Sequence, residues 1–132
     1  MLNTAPQAAA FWTALLLILL VVLSALVVRQ RRTHRVGLGD GGQATLQQAS
    51  RAFGNAAEYI PAGIAAMILL SQLRSSFLLI HLIGLLLFVG RLVHGLAISG
   101  NGGVSAGRVV GMLLTWTAYI VAAVALLLYA VA

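Results

Sequence analysis

The sequence predicts an all-α integral membrane protein, a four-helix bundle of up-down antiparallel spans, and three observations predict it. Of the 132 residues, 61% are hydrophobic and 8% charged, against about 25% charged in a soluble globular domain. Four apolar runs are long enough to cross a bilayer, which takes roughly 20 residues. No alternating pattern of barrel strands is visible, and backbone groups in lipid must then be satisfied within a helix. The runs consume most of the chain, so residues 1–132 read as a single membrane domain.

The predicted spans cover about residues 8–28, 46–70, 77–98 and 109–131. The first has no basic residue ahead of it and no small-residue cleavage site after it, so it reads as a retained helix and not a signal peptide. The second contains Pro61, which removes one backbone hydrogen bond and predicts a kink of the kind membranes tolerate. Gly103, Gly107 and Gly111 recur every fourth residue, as do Ala62 and Ala66, a spacing that lets helix backbones approach. A glycine-rich loop leading into a helix explains the first pair equally well. The segment Gly37–Gly42, GLGDGG, matches a dinucleotide fingerprint, but no strand precedes it and no βαβ unit fits. It reads as a tight loop, with Asp40 near the cap of the second helix.

The formal charge of +6 comes from eight Arg, no Lys, one Asp and one Glu. Arg29, Arg31, Arg32 and Arg35 cluster between spans one and two, and the positive-inside rule puts that loop in the cytoplasm. Both termini are then expected outside, on the periplasmic side of a bacterial inner membrane. The excess charge implies contact with anionic lipid, not nucleic acid. The chain has no cysteine, which excludes disulfides, thiolate metal sites and a thiol nucleophile of its own. Three histidines and two acids at unrelated depths compose no metal site.

Ionisable side chains inside a span are costly unless they face protein or water, so each is a candidate functional residue. Arg51, Asn55 and Glu58 lie on one face of span two, at spacings of four and three, with Glu58 about 10 Å along the axis from Arg51. Arg91 and His94 share a face near the end of span three, and Arg108 opens span four. The antiparallel order brings Arg51, Arg91, His94 and Arg108 toward the cytoplasmic side, where seven of the eight arginines are expected. Such a concentration of guanidinium groups predicts a buried anion site. The plainer alternative stays open: Arg51 and Glu58 neutralise one another, and Arg91 reaches to lipid phosphates. His81, early in span three, reads as a packed or interfacial residue.

The run Arg51-Ala52-Phe53-Gly54-Asn55-Ala56-Ala57-Glu58-Tyr59-Ile60-Pro61 resembles the second-helix signature of the MAPEG family, the membrane-associated proteins in eicosanoid and glutathione metabolism. Arg91 with His94 is similar to that family's third-helix element, and Arg108 falls where it has an arginine at the start of helix four. The resemblance implies a homotrimer with glutathione as cosubstrate, bound between subunits near the cytoplasmic helix ends. By that similarity Arg51, Asn55, Glu58 and Tyr59 bind the tripeptide, Arg91 and His94 assist, and Arg108 is catalytic. The two carboxylates and the amine of glutathione match arginines, an amide and a glutamate. A free thiol of pKa about 8.5 is mostly protonated at neutral pH, and a nearby cation favours its thiolate. The activated sulfur would attack a lipophilic electrophile or hydroperoxide arriving through the bilayer.

The chain departs from eicosanoid-type members in having His94 where they carry tyrosine and Ile98 where another aromatic is usual, so their substrate specificity does not transfer. His94 is either a hydrogen-bond donor to the guest or a structural residue. Two other functions stay open: a non-catalytic membrane or lipid-binding protein of this fold, and a small transporter built on Glu58, Arg91 and His94. The broken helices of transporters are absent from the pattern.

Overall fold

A computed structural model of the chain describes residues 2–100 and 105–131. Among them are four helices: α1 (Ala5–His34), α2 (Ala44–Gln72), α3 (Phe77–Gly100) and α4 (Ala106–Val131). Each is long and apolar enough to cross a membrane.

Thr4 caps α1 through its hydroxyl, which accepts from the Gln7 amide at 3.4 Å, and a proline sits in the first turn. The apolar run ends at Val28, but the helix continues through Arg29, Arg31 and Arg32 to His34. Arginine leaves lipid without leaving the helix: it is a good helix former, and cations in a last turn complement the helix dipole. At 30 residues, α1 is about 45 Å long and outreaches a hydrocarbon core of about 30 Å. It stops at Arg35, a left-handed residue (φ 55°), where Val36 N–H donates to Arg31 O at 3.0 Å. The same closure ends α2, with Arg74 left-handed (φ 58°) and Ser75 N–H donating to Leu70 O at 3.1 Å.

The loop between them is pinned from both sides. Arg31 Nη1 donates to the carbonyls of Gly37 and Gly39, each at 3.1 Å. Asp40 accepts from the Gly42 amide at 3.0 Å through its carboxylate and from the Gln43 amide at 2.9 Å through its carbonyl. It therefore closes a turn ahead of α2 and is not its cap, a position held by Gln43 with no side-chain bond. Pro61 lies inside α2, which is continuous across it.

Helices α2 and α3 form the middle of the bundle, α1 packs on both from one flank and α4 from the other; among the described residues α1 and α4 do not touch. Leu16, Ile60, Met67, Leu70, Ile80, Ile83 and Leu87 are fully enclosed. Outward-facing Ile18, Val21, Leu127 and Leu128 are more than half exposed, as expected where lipid is the solvent.

The closest backbone approach is between α3 and α4. A Cβ on Gly111 would stand 2.7 Å from Gly90 O, and one on Gly90 2.9 Å from Gly111 O. Gly107 meets Ala97, and Gly103 lies outside the described residues. On α2 the small residues turned into the bundle include Ala49, Ala52, Ala56 and Gly63, whereas Ala62 is exposed.

Candidate functional site

At the end of the bundle where α1 stops, α2 starts, α3 stops and α4 starts, a cavity of about 640 Å³ opens between α2, α3 and α4. The helix period builds its walls. Ala44, Gln47, Gln48, Arg51 and Asn55 line it from one face of α2, His94 and Ile98 from successive turns of α3, and Arg108 and Met112 from successive turns of α4. Neither of the chain's acids, Asp40 and Glu58, lines it, so its ionisable groups are two arginines and a histidine. Arg108 sits in the first turn of α4, where a cation opposes the helix dipole. Helix stability is no reason for an arginine there.

Behind this cavity lies Arg91, 1% exposed. Its guanidinium joins three helices at one depth. Nε donates to Thr115 Oγ1 at 2.9 Å, Nη1 to Asn55 Oδ1 at 2.6 Å, and Nη2 to Gly111 O at 3.4 Å and Met112 Sδ at 3.2 Å. Its carbon Cζ stands 4.8 Å from the centroid of the Tyr59 ring, a cation–π contact. The Thr115 hydroxyl donates to Gly111 O at 2.8 Å, which leaves its oxygen lone pairs to accept from Arg91. The Tyr119 hydroxyl donates to Tyr59 O and ties α4 to α2 one turn further in.

The residues singled out in the sequence thus divide into three groups. Arg51, Asn55, His94 and Arg108 line one cavity. Arg91 and Tyr59 stand behind its wall. Glu58 is exposed on α2, beyond the cavity's inner end. Gln47, Gln48 and Met112 were not singled out; their signal is spacing, four and three residues before Arg51 and four after Arg108.

A second, apolar groove of about 290 Å³ runs along α4, lined by Val109, Leu113 and Trp116, and it shares His94, Arg108 and Met112 with the polar cavity. Arg108 therefore stands on the border between a polar and an apolar compartment. A larger groove of about 810 Å³ follows α1, lined by Leu20, Ser24, Val28 and Phe53 with Arg29 and Arg32 at one end.

At the opposite end of the bundle His81 is a structural residue, since Trp12 Nε1 donates to its Nδ1 at 3.0 Å and its Nε2 bonds Leu2 O at 3.2 Å.

Four helices long and apolar enough to span a bilayer, three of them lining a basic polar cavity, define a small multi-pass membrane protein with a basic pocket at one end. The chain belongs to the MAPEG family, which it matches over residues 9–128. It is 37% identical over 120 residues to the inner membrane protein YecN of Escherichia coli strain K12, an alignment covering 91% of this chain and 90% of that one. The YecN of E. coli O6:H1 is similar to the same degree. Like these relatives, the chain is a protein of the inner membrane, and its own four helices make it multi-pass.

Proposed function

We propose that the chain is a glutathione-dependent membrane transferase or peroxidase, working as a homotrimer with the cavity toward the cytoplasm. The observation that carries this reading is the position of Arg108, shared by the polar cavity and the apolar groove. A reaction between a water-soluble thiol and a lipophilic partner needs one cation at the meeting point of two such compartments.

Arg51 and Asn55 hold carboxylate or carbonyl oxygens of the tripeptide, and Arg108 faces its sulfur. The guanidinium favours the thiolate, and the thiol proton leaves to solvent. Lowering the thiol pKa from about 8.5 to about 6.5 takes about 2.7 kcal/mol of preference for the thiolate. With an electrophile in the groove, the sulfur lone pair forms the C–S bond and the leaving group departs with its electron pair. With a hydroperoxide, sulfur takes the terminal oxygen, the O–O bond breaks, and the alkoxide collects a proton to become an alcohol. The resulting sulfenic acid condenses with a second glutathione to the disulfide and water. Exposure of Arg51 and Glu58 in the single chain supports a site that a neighbouring copy completes.

Calorimetric titration of glutathione into the detergent-solubilised protein tests the binding step, and turnover of a chlorodinitrobenzene electrophile tests the chemistry. Binding that survives unchanged in Arg51→Ala, or turnover unchanged in Arg108→Ala, overturns the assignment.

A further inference from the structure

Arginine carries five N–H donors and no acceptor. Where Arg91 Nη1 meets the Asn55 side chain at 2.6 Å, the amide oxygen must therefore face the guanidinium. Asn55 also lines the polar cavity, so the end left for a guest is Nδ2 with its two N–H donors. The amide orientation is set by Arg91 and is not adjustable to the guest, because reversal would set two donors against one another in a wall that is 1% exposed at Arg91.

The rest of the Arg91 environment keeps the guanidinium from turning away. Nε is held by Thr115, Nη2 by Gly111 and Met112, and the Tyr59 ring covers one face. All of these partners are uncharged. Arg91 itself does not line the cavity, yet it touches two residues that do, Asn55 and Met112.

We infer that Arg91 is a positioning residue: it locks Asn55 as a hydrogen-bond donor toward the cavity and so selects a guest with an acceptor oxygen, a carboxylate or an amide carbonyl, at that depth. An ammonium group at the same place meets donors from Asn55, Arg51 and Arg108 and is rejected. The inference rests on the reading of this cavity as a glutathione site.

Two substitutions separate the lock from the fold. Asn55→Asp offers Arg91 a carboxylate in place of the amide oxygen and removes the donor end. Asn55→Leu keeps the branched skeleton and removes both. Thermal midpoints and glutathione titrations are measured on the full chain in one detergent. The expected order of midpoints is Asn55→Asp at or above wild type, with Asn55→Leu below. Glutathione affinity falls about 10-fold or more in both, the scale of one hydrogen bond to a charged group. Loss of binding in a variant at least as stable as wild type cannot come from a disturbed fold.

An Asn55→Asp protein less stable than Asn55→Leu overturns the lock, and an Asn55→Asp protein that binds glutathione like wild type overturns the donor assignment. A wild-type protein that binds no glutathione, with the expected order of midpoints, overturns the transferase reading and leaves the Arg91–Asn55 lock standing.

Discussion

The indole N–H of Trp12 in α1 donates to Nδ1 of His81 in α3 across 3.0 Å, and the other ring nitrogen of His81 bonds the Leu2 carbonyl at 3.2 Å. Indole can only donate, so Nδ1 is the acceptor and Nε2 carries the proton. The neutral ring satisfies both bonds at once and fastens the start of α1 to the start of α3. His81→Leu leaves Trp12, 8% exposed, with an unsatisfied donor in an apolar setting. It should cost about 1–3 kcal/mol, read as a lower thermal midpoint, and little further loss should follow when Trp12→Phe is added.

Two glycines should answer alanine in opposite directions. A methyl group on Gly111 meets Gly90 O and His94 Cβ at 2.7 Å, both on the facing helix. Gly111→Ala has to push α3 and α4 apart and should destabilise by about 1–3 kcal/mol. Gly54, in mid-helix with nothing within 4 Å of its added methyl, should gain about 0.5–1 kcal/mol from Gly54→Ala. Comparing the two midpoints in one detergent checks the α3–α4 crossing.

Arg74 closes α2 in a left-handed conformation, φ 58°, that L residues adopt at a cost. The side chain is exposed, so Arg74→Gly should stabilise by about 1 kcal/mol. A lowered midpoint would mean that the guanidinium makes a contact worth more than the strain.

For the chemistry, Arg108→Ala should lower glutathione-dependent turnover by about 10- to 100-fold at neutral pH, since about two pKa units of thiolate preference are removed. The sign follows from the thiol. Without the cation the bound thiol ionises at higher pH, so the variant's rate should keep rising through the alkaline range where the wild-type rate is already level. A pH–rate profile that drops in height with no change of shape would remove Arg108 from thiolate stabilisation.

Arg51 should behave differently. It is exposed and lines the cavity, so Arg51→Ala should weaken glutathione binding by about 10-fold and leave the stability within about 0.5 kcal/mol of wild type. Titration calorimetry beside a melting curve separates the two effects.

The four spans were legible because length and hydropathy alone decide them, and the convergence of Arg51, Asn55, His94 and Arg108 followed from antiparallel order plus helix period. Helix α1 runs past the predicted span to His34 because basic residues mark where lipid stops, and a helix of arginines carries on into water. Arg91 was legible in depth but not in direction. Its partners Asn55 and Thr115 are 36 and 24 residues away, and only the packing of three helices brings them to one guanidinium. Glu58 was on the predicted face, yet the cavity ends at Asn55 along α2, so the difference is one of distance along the axis and not of orientation.

The apolar groove beside Trp116 lies on the outer flank of α4, away from α1. On the proposed function, a greasy reactant would slide in sideways from the surrounding lipid without first dissolving in water. Its working concentration is then its mole fraction in the membrane, so the apparent KM, expressed per litre of buffer, should rise as more empty vesicles are added to dilute it.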